Sequence, residues 1–193
     1  MNYPNNVKGI LDRVISFILL IALFPVMMML GLLLFIIEGK VFFVQKRPGR
    51  KGRLFNIYKF VTMRDCSGPD EDRITKIGGF LRKYSLDELP QLWNVLSGQM
   101  SLIGPRPLLP EYLDKYSEVH RQRHMVKPGM TGLAQISGRN SLGWENKLDL
   151  DVYYVKHLDF FMDLTIFYKT IIHLFTRRSD NFIEKKFIGY TEH

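Results

Sequence analysis

Residues 14–37 read VISFILLIALFPVMMMLGLLLFII, which is 24 positions from Val14 to Ile37 without one charged side chain. A straight helix of that length reaches about 36 Å, enough to cross the roughly 30 Å hydrocarbon layer of a bilayer. The run is longer than the apolar core of a cleavable signal peptide, and no small-residue cleavage site follows before Glu38-Gly39-Lys40. It is therefore expected to stay in the mature protein. Pro25 sits at its middle, where it removes one helical hydrogen bond and presses on the carbonyl of Ile21. Lys8 and Arg13 precede the run, and Lys40, Lys46, Arg47, Arg50, Lys51 and Arg53 follow it. Positive charge marks cytoplasmic ends. With both flanks basic, the segment is expected to enter the membrane, bend at Pro25 and leave on the same side, as a re-entrant hairpin of two short arms. The competing reading is a spanning helix with a proline kink.

Outside this segment, 193 residues leave room for one globular domain and hence one active site. The division expected is 1–40 for the membrane helix and its flanks, 41–176 for a cytoplasmic catalytic domain, and 177–193 for a charged, mobile tail. A net charge of +8 and a pI near 9.6 call for an anionic partner: nucleic acid, an anionic bilayer or a phosphorylated substrate. Cys66 stands alone, so there is no disulfide framework and no zinc set of paired cysteines.

The pattern after residue 40 is mixed. Val41 to Gln45 and Leu54 to Phe60 read as two short strands joined through a basic turn, Gln45 to Arg50, which gives a small hairpin. Ile74 to Lys83 reads as an amphipathic helix, Leu89 to Leu96 as a second closed by Ser97-Gly98, and Glu111 to His124 as a polar third. Gly104-Pro105-Arg106-Pro107, Lys127 to Gly132 and Gly138-Arg139-Asn140 read as rigid loop and turns. Leu150 to Phe175 is apolar on one side and aromatic-rich, fit either to lie in the headgroup layer or to pack in a core. The fold class is thus α/β-like but mostly helical, a small membrane-surface domain with one β-hairpin and amphipathic interfacial helices behind the N-terminal membrane element.

Ser85-Leu86-Asp87-Glu88-Leu89-Pro90 carries the densest chemistry. A structural reading is a capping box, Ser85 with Glu88 three residues on. Pro90 fits poorly as a fifth helical residue, whereas with Asp87 as N-cap it falls in the first turn. A helix start favours carboxylates and also attracts phosphate, so structural and functional readings share one geometry. Adjacent helical residues point apart, which gives Asp87 and Glu88 different tasks, one nucleophilic or metal-binding and the other supportive. Arg106, with φ fixed on both sides by Pro105 and Pro107, presents a guanidinium suited to phosphate, or is simply the arginine of a rigid turn. Arg82 and Lys59 are further phosphate candidates. His120 and His124 share a helical face, but Arg121 and Arg123 between them repel a cation.

These pieces, in this order, resemble the bacterial sugar transferase family, the monotopic phosphoglycosyl transferases, and most closely their small PglC-like branch. The likeness rests on Phe43 to Gly49, Tyr58 to Arg64, Ser85 to Ser97, Met100 to Pro107, Lys127 to Gln135, Gly138-Arg139-Asn140 and Asp151 to Val155. The resemblance implies a re-entrant membrane helix at the cytoplasmic face of the bacterial inner membrane, with both termini cytoplasmic. It also implies Mg2+ held at Asp87 and Glu88, a UDP-sugar donor, possessing in small relatives an N-acetylated amino sugar, and undecaprenyl phosphate as acceptor. Asp87 is then the nucleophile that displaces UMP, Glu88 completes the dyad, and Arg106, Arg82, Lys59 and Asp151 match recurring polar positions. Nucleic acid is excluded as partner and no obligate protein partner is expected. One departure is Phe24 before the bend proline, where close relatives carry serine. The competing functions are a non-enzymatic basic module that recruits phospholipid or protein, and the same transfer made in one step.

Overall fold

The long apolar run forms one helix, α1, Lys8–Glu38, in the computed structural model of the chain, which describes residues 3, 7–67, 69–138, 142–176 and 187–190. Helical structure continues through Pro25, so the two arms expected from the sequence are a single element. Gly39, at φ 67°, closes it by donating to the Phe35 carbonyl at 3.1 Å, the left-handed stop that glycine adopts without strain. The buried positions Lys8, Asp12, Ser16, Leu30 and Leu34, with half-buried Leu19, Leu23 and Met27 between them, recur every three or four residues and make one stripe. The other faces stay apolar and exposed, as at Phe17, Ile21, Phe24, Met28, Leu32 and Ile36. Among the described residues α1 is the helix long and apolar enough to cross a membrane.

Both ends of the stripe dock on the domain. At the start, the Lys8 ammonium lies 2.5 Å from Asp163, which also accepts from the hydroxyls of Tyr3 (2.6 Å) and Tyr154 (2.7 Å). Asp12 accepts from Ser101 Oγ at 2.6 Å and from the Leu102 N–H at 3.2 Å. At the far end Leu30 and Leu34 pack with Phe60 and Leu81.

The expected hairpin is present: β1, Phe42–Pro48, runs antiparallel to β2, Leu54–Phe60, in a register from Phe42↔Phe60 to Pro48↔Leu54. Gln45 to Pro48 belong to the strand rather than the turn. The reversal is made by Gly49 to Arg53 around a short 3-10 turn, Arg50–Gly52. A short α2, Asp70–Arg73, leads to α3, Lys76–Lys83, capped by Thr75, whose hydroxyl accepts from the Gly78 N–H at 2.9 Å. Gly78 lets α3 touch β2's continuation, because a Cβ there would stand 2.0 Å from the Thr62 carbonyl oxygen. Gly78→Ala must push α3 off Thr62, and the expected loss is about 1–3 kcal/mol or more of stability, read as a lower thermal midpoint. An alanine variant that melts with wild type would contradict this packing.

α4, Gln91–Leu96, matches the second helix expected. Its fully buried Asn94 substitutes for a third strand beside β2. The amide donates to the Asn56 carbonyl at 2.7 Å and its oxygen accepts from the Tyr58 N–H at 3.2 Å. A pair of parallel strands was not expected: β3, Ser101–Ile103, just before the Gly104 to Pro107 loop, and β4, Gly129–Thr131, within the stretch read as a turn. The helix expected over Glu111 to His124 is broken. A 3-10 segment, Pro110–Lys115, ends at extended Tyr116. Ser117 Oγ then caps α5, Glu118–Arg121, followed by a 3-10 turn, Gln122–Met125. Serine's competition for backbone N–H groups stops one helix and starts another.

The remaining helices are α6, Leu133–Ser137, α7, Trp144–Lys156, and α8, Phe160–Thr176. The aromatic stretch from Leu150 divides at His157-Leu158-Asp159, where Asp159 Oδ1 accepts from the Met162 N–H at 2.7 Å. α8 is buried along one side and exposed along the other. Asp163 and Ile166 are buried, while Phe161, Leu164, Phe167 and Tyr168 are exposed. Arg139 and Asn140 lie outside the described residues, as does most of 177–193. From that last stretch, Phe187 to Tyr190 packs on the domain.

Candidate active site

Asp87 and Glu88 occupy a 3-10 turn, Leu86–Glu88, entered through Ser85 at φ 55° and exited through Pro90, which caps α4. Neither helix start considered from the sequence forms. Ser85 makes no side-chain cap, and a left-handed serine costs of order 1 kcal/mol, a strain retained where the surrounding structure dictates it. The turn sets the two carboxylates in different surroundings. Glu88 Oε1 accepts from Lys59 Nζ at 2.7 Å and from Arg106 Nη2 at 2.9 Å. Burial works to raise the Glu88 pKa, but the charges of Arg106 and Lys59 and the bonds they donate outweigh it and hold the group ionised, well below the ordinary carboxylate range. Asp87 is buried too, and the ion pairs found among the described residues do not include it. Burial first, and then the Glu88 charge beside it, raise its pKa against the pull of Lys59, Arg82 and Arg106. One carboxylate is neutralised in place and its neighbour is left with an electrostatic deficit.

The surrounding cations arrive from separate elements. Lys59 is on β2, held against the turn because Asn94 ties β2 to α4. Arg82 closes α3, and its Nε donates to Thr62 Oγ1 at 2.8 Å, across the contact that Gly78 permits. Arg106 rides a loop held through its carbonyls, since Pro105 and Pro107 have no N–H to give. The Pro105 oxygen accepts from the Gly129 N–H at 3.0 Å, the Arg106 oxygen from Arg123 Nη2 at 2.7 Å, and the Pro107 oxygen from Arg47 Nη1 at 3.4 Å. Gly129 and Gly132 allow this closeness. A Cβ on either would come within 2.1 Å of the Gly104 backbone.

Asp151, singled out in the sequence, binds Arg123 by two hydrogen bonds, 2.6 Å to Nη2 and 3.0 Å to Nε. Both residues are buried, so Asp151 acts on Arg106 through Arg123. Sequence reasoning passed over Arg123 and Asn94. A buried basic or amide side chain carries no local signal, and in this chain only the three-dimensional partner reveals it.

All six site residues proposed from the sequence other than the bend proline, Lys59, Arg82, Asp87, Glu88, Arg106 and Asp151, line one open cleft of about 1300 Å³. Its lining also has an apolar part, from α1 (Leu19, Leu23, Val26), β1 (Phe42, Phe43) and α8 (Phe167), and further polar residues such as Gln45, Arg47 and Gln135. Among the described residues no three His, Cys, Asp or Glu side chains converge as a metal cage. Magnesium needs less from a protein, often one or two carboxylates beside substrate phosphates. Asp87, in electrostatic deficit next to Glu88, fits that donor set.

Lys59, Arg82 and Arg106 thus gather beside the carboxylate pair in a cleft that also has an apolar lining. The chain belongs to the bacterial sugar transferase family, whose sequence profile matches residues 3–177. Its similar relatives include "Uncharacterized sugar transferase EpsL" of Bacillus subtilis, 55% identical over 141 residues, 70% of each chain. The undecaprenyl-phosphate galactose phosphotransferase of Salmonella typhimurium is 38% identical over 186 residues, 84% of this chain and 39% of the relative. The UDP-glucose:undecaprenyl-phosphate glucose-1-phosphate transferase of Xanthomonas campestris is 35% identical over 196 residues, 92% and 40% respectively. The chain thus spans about two fifths of the length of the latter two.

Proposed function

We propose that this chain transfers a sugar 1-phosphate from a UDP-sugar to undecaprenyl phosphate and releases UMP, with Asp87 as a covalent nucleophile. The observation that carries the proposal is the unequal carboxylate pair, with Lys59, Arg82 and Arg106 beside it, in a cleft that α1, β1 and α8 line with apolar side chains. The names of the Salmonella and Xanthomonas relatives, one a galactose and the other a glucose phosphotransferase onto the same lipid, support the reaction class.

In the first step an Asp87 oxygen bonds to the β-phosphorus as the bond from that phosphorus to the bridging oxygen breaks, and UMP leaves with the electron pair. In the second, a phosphate oxygen of the lipid attacks the same phosphorus and expels the Asp87 carboxylate, yielding a polyprenyl diphospho-sugar. Burial and the Glu88 charge make the Asp87 anion more basic than an ordinary aspartate, which favours attack. Glu88, kept ionised by its two cations, holds Lys59 and Arg106 in position. Arg82 and Arg106 face the charge that develops on the phosphates. A magnesium ion held by Asp87, Glu88 and substrate phosphates would supply further neutralisation of the pyrophosphate. Undecaprenyl phosphate would lay its chain along the α1, β1 and α8 wall, at the cytoplasmic face of the inner membrane.

The same proposal gives α1 a re-entrant course. Its first turns are tied to Asp163 and Ser101 and its last turns to Phe60 and Leu81, so both ends belong to one polar domain. A helix crossing the bilayer would part them. In a Cys66→Ser background, Asn5→Cys and Arg177→Cys are both expected to resist a membrane-impermeant thiol reagent in intact cells, while labelling of one end alone would establish a crossing.

The activity itself is tested with a panel of UDP-sugars, undecaprenyl phosphate and Mg2+. Release of UMP with at least one sugar is expected, and none with any would defeat the proposal.

A further inference from the structure

We infer that the segment Phe187 to Tyr190 is a clasp that sets the position of Trp144 in the cleft wall and thereby the affinity for the nucleotide-sugar. The inference rests on the transferase reading above for its functional half, and on the contacts of a segment that lies beyond the family match, which ends at residue 177.

Trp144, Lys147 and Asp151 stand at i, i+3 and i+7 on α7, one face of the helix, and all three line the cleft. The Lys147 ammonium lies 4.8 Å over the indole ring, so this wall offers an aromatic face with a cation beside it. Behind the indole is Phe187. It is 3% exposed, with its ring centroid 5.4 Å from Trp144, 5.6 Å from Tyr112 and 6.0 Å from Tyr116. Fully buried Leu148, on the next turn of α7, belongs to the same cluster. The segment is fixed through its backbone as well, because the Phe187 N–H donates to the Tyr112 hydroxyl at 3.1 Å and its carbonyl accepts from Lys115 Nζ at 3.3 Å.

A second grip falls further along α7. The Tyr190 hydroxyl is hydrogen-bonded to His120 Nδ1, and His120 Nε2 to Asp149 at 2.8 Å. Phe187 thus braces the first turn of α7 and Tyr190 reaches its middle, while Asp151 on that helix holds Arg123 and, through it, the Arg106 carbonyl. Phe187 packs on Trp144 without itself lining the cleft, which makes it a positioning residue. Truncating it opens space against the indole, and a side chain in a half-filled pocket loses its single orientation.

The test uses the full-length protein in lipid nanodiscs with Trp93→Phe, so that Trp144 is the sole tryptophan. Phe187→Ala is expected to increase quenching of Trp144 emission by acrylamide. It should also raise KM for the UDP-sugar about tenfold with kcat within about twofold, the pattern of lost binding shared by ground and transition states. Phe187→Leu, which refills most of the volume, should restore both. Unchanged quenching in the alanine variant would overturn the clasp whatever the activity. Altered quenching with an unchanged KM, or a fall in kcat alone that tracks the folded fraction, would overturn its role in affinity. If the parent protein releases no UMP from any UDP-sugar, the transferase reading fails, and titrating UDP-sugar by Trp144 emission still decides the inference. Tighter binding by the parent than by Phe187→Ala upholds it, and equal or absent binding overturns it.

Discussion

Asp87→Asn is expected to lower UMP release by roughly three orders of magnitude or more while the protein folds as well as wild type or better. The amide is nearly isosteric with the carboxylate but cannot displace UMP from phosphorus. Stability should not suffer, because the native site already disfavours the ionised aspartate. Burial and the adjacent Glu88 raise its pKa, so at neutral pH the ionised group costs folding free energy that the neutral amide does not. The expected pair of results is therefore a lost rate and a thermal midpoint equal to or above wild type, measured on the same preparation. A variant that keeps a tenth of the activity would remove Asp87 from the chemistry. One that loses rate only because it unfolds would make it structural.

Arg123→Met is expected to be the most damaging single change outside the carboxylate pair. It takes from Asp151, a carboxylate 3% exposed, the two hydrogen bonds and the charge that Arg123 supplies, and removing one partner of a buried ion pair costs about 3–5 kcal/mol. It also takes the donor from the Arg106 carbonyl, in a loop whose prolines offer no N–H of their own. The two effects separate in a double variant. Arg123→Met with Asp151→Leu should recover most of the thermal midpoint, since the buried charge that lost its cation is gone. Turnover should stay low, since Arg106 remains loosely held. A single variant with wild-type stability would contradict the buried pair, and full recovery of turnover in the double would show that the loop does not depend on Arg123.

The parts legible in sequence were those that local pattern decides. A charge-free run of 24 residues has to be a long apolar helix, and alternation on either side of a glycine-containing basic turn has to be a hairpin. Asp87, Glu88, Lys59, Arg82 and Arg106 were singled out by residue type and order, and the fold brings them to one cleft. What was not legible depends on distant partners. β3 and β4 are three residues each, too short for any periodicity, and pair across more than twenty positions because Gly104, Gly129 and Gly132 let backbones touch. Lys8 meets Asp163 from 155 residues away. Ser85 reads as a helix cap by composition but takes a left-handed conformation, with φ 55°, and makes no side-chain cap. Arg123 stands in a polar stretch between two histidines, and its burial follows from distant partners, Asp151 and the Arg106 carbonyl.

The covalent step is tested most directly by the intact mass of the wild-type protein after incubation with UDP-sugar and Mg2+ in the absence of any polyprenyl phosphate. The expected result is a gain of one phospho-sugar, about one UMP released per active site before turnover stalls, and no gain in Asp87→Asn. An unmodified mass, with UMP appearing only once lipid phosphate is added, would contradict the account and leave transfer in a single step within a ternary complex.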